Sequence, residues 1–156
     1  MYARHTAPIP SAALSVADLA DPSSSPILDM ADPAHDSRIA IVGPGGLDLA
    51  CELIRLGYST ASVVRLDDRI RAHEFDVVII PQPVAADVLE RAIPLARRML
   101  APLGVVVLRL AADRSDALYA WARRQLVANG FTAVRVDTAH GETLLGAELP
   151  LHGRLS

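Results

Sequence analysis

The stretch from Arg38 to Tyr58 restricts the fold more than any other part of this 156-residue chain. Ile39 to Val42 is a short, wholly apolar run rich in β-branched side chains, the pattern of a central parallel strand buried on both faces. Gly43, Gly45 and Gly46 follow at once. Leu47, Ala50, Cys51, Ile54 and Tyr58 then recur at helical spacing, with Asp48, Glu52 and Arg55 on the opposite side. Gly57 supplies a left-handed C-cap for that helix. A buried strand that feeds a helix through a glycine turn is the opening βα unit of a Rossmann-type nucleotide-binding fold.

The downstream pattern continues the alternation. Ala61 to Leu66 reads as a second strand with Asp67 and Asp68 just past its end, and Arg69 to Phe75 as a short link. Asp76 to Ile80 is a third strand, stopped by Pro81-Gln82-Pro83 because proline cannot donate to a central ladder. A helix is expected from about Val84 to Ala101, with Pro94 inside it as a kink. Gly104 to Leu110 is a fourth strand, and Asp113 to Asp116 offers N-caps for a helix that puts Leu118, Trp121, Ala122, Gln125 and Leu126 on one face. Asn129-Gly130 closes that helix. Phe131 to Val136 and Thr143 to Leu149, joined by a turn near His140-Gly141, form an antiparallel hairpin. The expected fold is therefore α/β, a three-layer Rossmann-like sandwich whose mostly parallel sheet ends in a C-terminal antiparallel hairpin.

Composition draws the domain boundary and removes several kinds of chemistry. Residues 1 to 37 hold five of the eleven prolines, none of the nine glycines, and five Asp against one Arg. That is a net −4, which leaves +1 for the rest, and it suggests a flexible, acidic, Pro/Ser/Ala-rich leader before a domain over 38 to 156. Within the leader, Ser11 to Ala20 could form a short helix that covers a pocket or mediates pairing. All fifteen basic residues are Arg, so lysine Schiff bases, Walker-type phosphate lysines and a lysine general base are excluded. Cys51 is the single cysteine, which rules out an internal disulfide and a thiolate metal cluster, and no metal-ligand spacing occurs among the five His. A net charge of −3 recommends no nucleic-acid partner. No apolar run reaches the length of a membrane span and no signal peptide is visible, so a cytoplasmic location is the expectation. His73, in the link, and His140, in the hairpin turn, have the side chain of a general base but the setting of ordinary loop histidines.

Two further stretches carry a resemblance. Leu100-Ala101-Pro102-Leu103-Gly104, followed by Val105 to Leu108, looks like the helix-to-strand turn of the class I S-adenosylmethionine-dependent methyltransferases. Gly130-Phe131 before a hairpin looks like that family's closing strands. The resemblance spans roughly Arg38 to Leu149. It implies that Gly43, Gly45 and Gly46 line the methionine and ribose part of S-adenosylmethionine and that Asp67 or Asp68 accepts hydrogen bonds from the ribose hydroxyls. It implies as well that Pro81 and Gln82 face the substrate, a small-molecule or protein methyl acceptor. It names no catalytic residue and no metal.

The chain departs from the family pattern in three places. Ile41 stands where the family usually has an acid, two positions before the first glycine, and Leu47 stands at its third glycine. The link after Asp68 is too short to hold the helix and strand that the family places there, at about 3.3 Å per extended residue. One edge strand is therefore expected to be missing. Two other functions stay open: a catalytically inactive module of the same fold used for binding or homodimerisation, and a dinucleotide-binding protein. Against the second, Asp48 sits in the first turn of the helix, where a carboxylate suits the dipole but repels a pyrophosphate.

Overall fold

The computed structural model describes residues 26–43, 45–81, 86–111, 116–139 and 142–151. The elements are α1 (Pro26–Ala31), β1 (Arg38–Val42), α2 (Gly46–Arg55), β2 (Thr60–Val64), β3 (Phe75–Ile80), α3 (Ala86–Met99), β4 (Leu100–Ala111), α4 (Asp116–Ala128), β5 (Thr132–Ala139) and β6 (Glu142–Glu148). Six strands form one sheet in the order β2-β1-β3-β4-β6-β5. The β1·β2, β1·β3 and β3·β4 ladders are parallel, and the β4·β6 and β6·β5 ladders are antiparallel. This is the mostly parallel α/β sheet with an antiparallel hairpin that the sequence pattern implies.

The sheet separates two apolar layers. On one face Ala40, Val42, Val78, Ile80, Val106 and Leu108 pack beneath α3 and α4, which contribute Leu89, Ile93, Ala96, Met99, Ala122 and Leu126. Trp121 lies half-buried against this layer, a packing role. On the other face Ile39, Ile41, Val77, Ile79 and Val107 meet Ala50 and Leu53 of α2 and Ile27, Leu28, Met30 and Ala31 of α1. Strands β1 and β3 are thus buried on both faces, which is why their sequences are continuously apolar rather than alternating.

Among the described residues no strand lies outside β2 in the sheet order. Residues 65 to 74 run from β2 back to the start of β3, which lies beyond β1, so β2 is an edge strand. Instead of a helix, this link sends Leu66 and Ile70 against the α3-side core. Its end is anchored where the His73 amide donates to the Arg98 carbonyl at 3.0 Å.

Two expectations need correction. The domain begins before residue 38, because Pro26–Ala31 is a helix with four buried side chains, tied to β5 by the Arg135 guanidinium donating to the Met30 carbonyl at 3.1 Å. Prolines at its start and just beyond its end made this segment look like part of a leader. The fourth strand starts at Leu100 rather than Gly104, since α3 passes straight into the sheet and Leu100 pairs with Phe75 before the register shifts to Val77 with Val105. Gly104 permits that irregularity: a Cβ there would lie 2.8 Å from the Ala101 carbonyl oxygen.

Candidate functional site

The parallel strands β1, β2 and β3 end side by side, and in open α/β sheets ligands bind beyond such carboxyl ends. Gly43 follows β1, Arg65 to Asp68 follow β2, and Pro81 follows β3. The three glycines have separable roles. Gly43 (φ +102°) and Gly45 (φ +76°) occupy left-handed backbone that side chains disfavour, and a Cβ on Gly43 would meet no described atom within 4 Å beyond its chain neighbours. Gly46 is buried, and its Cβ would sit 3.2 Å from Ile41 Cγ2 and 3.3 Å from Val63 Cγ1, so it lets α2 settle closely on β1 and β2. Ile41 is fully buried on the α2 face, in the position where the resemblance expects an acid.

Gly45 is the N-cap of α2 and makes no side-chain cap. The first amides of the helix therefore face the strand ends without a side-chain oxygen supplied by the cap residue. Asp48 is exposed in that first turn and contributes negative charge beside the loop. The two acids past β2 differ. Asp68 closes its own turn: its Oδ2 accepts the Arg65 amide at 2.9 Å and its amide donates to the Arg65 carbonyl at 3.1 Å. Asp67 is exposed in the same turn, within the described hydrogen bonds unengaged. Pro81 is buried at the end of β3. Gln82, Pro44 and His140 lie outside the described residues.

Among the described residues, two clefts lie at the opposite end of the sheet. One, of about 610 Å³, is lined by His73, Pro94, Arg97, Arg98, Pro102 and Leu149 among others. The His73 ring donates through Nδ1 to the Leu100 carbonyl, which can only accept, at 2.9 Å. His73 is thus remote from the glycine turn and is a tether for the link. No local sequence signal places it beside Arg97 and Arg98, because the contact arises only when the shortened link returns to β3. The other cleft, of about 400 Å³, is lined by Asp29, Asp32, His35 and Tyr58 among others, with the His35 and Tyr58 rings 4.9 Å apart. Between these clefts the Arg38 guanidinium grips Asp76 through two contacts, at 3.1 and 3.3 Å, while the Arg38 amide donates to the same carboxylate at 2.9 Å. The hydrogen-bonded guanidinium holds the Asp76 carboxyl below the usual carboxylate range.

Among the described residues no group of three or more His, Cys, Asp or Glu is placed to hold a metal ion, and no helix is long and apolar enough to cross a membrane. No protein-family model matches the sequence, and no curated protein matches it. Solved structures do match. Burkholderia thailandensis 1,6-didemethyltoxoflavin-N1-methyltransferase, with 1,6-didemethyltoxoflavin and S-adenosylhomocysteine bound, superposes with a TM-score of 0.64 at 12% identity, over 96% of this chain and 93% of that one. Precorrin-6y C5,15-methyltransferase from Geobacter metallireducens GS-15 gives 0.58 at 16% identity, over 79% and 86%. The CurJ carbon methyltransferase gives 0.52 at 16% identity over 79% of this chain but 51% of its own, so this chain spans about half the length of that enzyme.

Proposed function

From the premise that the chain has the class I methyltransferase-like fold, we propose that it binds S-adenosylmethionine at the carboxyl ends of β1 and β2. The observation that carries the proposal is the turn at Gly43, a left-handed glycine at which a Cβ would meet no described atom within 4 Å beyond its chain neighbours, followed by a helix whose N-cap, Gly45, supplies no side-chain cap. In this proposal Gly43, Gly45 and Gly46 border the methionine and ribose of the cofactor, and Asp67, with its carboxylate exposed, takes the ribose hydroxyls. Asp68 contributes a carboxylate already committed through one oxygen to its turn. The negative charge of Asp48 suits a sulfonium cation and opposes a pyrophosphate, which sets the dinucleotide alternative aside.

When bound, the cofactor supplies an activated methyl group for in-line displacement. Such a transfer depends mainly on positioning and on a deprotonated acceptor. The chain's part is then to orient the acceptor past β3, where Pro81 and Gln82 are the substrate-facing candidates, in a cytoplasmic setting. The second reading, a non-catalytic module of the same fold, is favoured by buried Ile41 in place of an acid and by the absent edge strand. Thermal shift with S-adenosylmethionine, S-adenosylhomocysteine and NADH separates these readings. Stabilisation by the first two, lost in Gly45→Leu, supports the proposal. No shift with any of the three supports the non-catalytic module, and a shift with NADH alone would overturn the choice of ligand.

A further inference from the structure

The two edges of the sheet are treated differently. At the β5 edge, exposed Arg135 and Asp137 lie on the strand, the register breaks between Thr132 and Arg135, and Ala133 adopts φ +51°. Charges and bulges are the devices by which natural edge strands avoid further pairing. The β2 edge has neither. Its sequence, Thr60-Ala61-Ser62-Val63-Val64, carries no charge and no proline, and its register with β1 is unbroken over all five residues. Val63 is 44% exposed. Among the described residues nothing pairs with its outer side.

We propose that β2 pairs with β2 of a second copy, antiparallel about a two-fold axis at Ser62, joining the two sheets into one. The occupant is a second copy because isologous pairing demands a self-complementary strand, and this one is. Centred on Ser62, Ala61 stands opposite Val63 of the second copy, Thr60 opposite Val64, and Ser62 opposite its own counterpart, so all five residues find partners. Val63 lies against Gly46 of α2, so it and Ala61 point to the α2 face, where the pairing covers the exposed valines with small apolar neighbours. No like charges meet, since Arg65 comes opposite Ser59. Helix α2 packs over β2, so the two α2 helices come alongside on one face and enlarge the interface toward the roughly 1,000 Å² that a stable pair needs. The second copy's β2 fills the place of the absent edge strand and brings its 57–59 turn beside Arg65 to Asp67.

Size-exclusion chromatography with light scattering on the full chain tests this. The wild type is expected at twice the monomer mass, and Val63→Lys, which puts a charge on the edge, at the monomer mass with an unchanged far-UV circular dichroism spectrum. Cross-linking gives an independent reading. Directly opposed residues of an antiparallel pair have Cα atoms about 4.5–5.5 Å apart, within disulfide reach. Ser62→Cys in a Cys51→Ser background should therefore form a covalent dimer under mild oxidant, whereas Thr138→Cys on β5 in the same background should not. A monomeric wild type overturns the proposal, whether residues 1–25 or nothing covers the edge. So does a dimer in which Ser62→Cys fails to cross-link.

Discussion

At Gly43 the cost of any side chain is conformational, and at Gly46 it is steric, although the two residues are three positions apart. An alanine at Gly43 meets no described atom within 4 Å beyond its chain neighbours but must hold φ near +102°, which costs about 1–2 kcal/mol. A valine at Gly46 must displace Ile41 or Val63 from 3.2–3.3 Å contacts, and overpacking of this kind costs about 1–3 kcal/mol. Urea unfolding should find both variants destabilised. Relief by truncating the neighbour is expected only for the Gly46→Val variant, through Val63→Ala. The two acids past β2 should separate as well. Asp68→Ala frees the Arg65 amide and lowers stability by about 1 kcal/mol, while Asp67→Ala leaves unfolding unchanged and weakens cofactor binding. Asp76 adds a pH signature. Its folded pKa lies below the unfolded value, so its contribution is present above about pH 4 and is lost as pH falls through the folded pKa. The difference in Tm between wild type and Asp76→Asn should therefore be largest near neutrality and shrink in acid, and a pH-independent difference would count against the ion pair.

At the scale of elements, α1 is the part of the fold least expected from its sequence. It is six residues long, too short for a periodic signal, and begins at a proline in a proline-rich segment. Its four buried side chains complete the layer over β4 and β6, and Met30 packs where a Cβ on Gly146 would stand, 2.7 Å from its Cγ. Ile27→Ala should cost about 2–4 kcal/mol by chemical denaturation, a loss that a dispensable leader could not produce. By contrast β1, β3 and the extent of α2 were legible, from strands apolar on both faces and a helix ended by Gly57, but the face that α2 buries differs from the expected stripe: Ala50 and Leu53 are buried, whereas Leu47, Cys51 and Ile54 are exposed. The glycine turn was legible too. The distinct jobs of its three glycines were not, because Ile41 and Val63 become neighbours of Gly46 only after β2 pairs with β1. The same limit hid the tether from His73 to Leu100 and the early start of β4, both products of a short link folding back on α3.

For the whole molecule, the order β2-β1-β3-β4-β6-β5 gives a methyltransferase-like sheet that, among the described residues, is shorter by one strand at the β2 side, in keeping with the ten-residue link between β2 and β3. Gly43 and the turn from Arg65 to Asp68 stand beyond the ends of β1 and β2, and retention of the cofactor there is the central question. Isothermal titration of the full chain with S-adenosylhomocysteine answers it most directly. The account predicts saturable one-site binding, weakened at least tenfold by Asp67→Ala, a loss of about 1.4 kcal/mol. At a ligand concentration one hundred times Kd, stabilisation by about 2.7 kcal/mol should accompany it. No binding heat from the folded wild-type chain, with no thermal stabilisation by the same ligand, would contradict it.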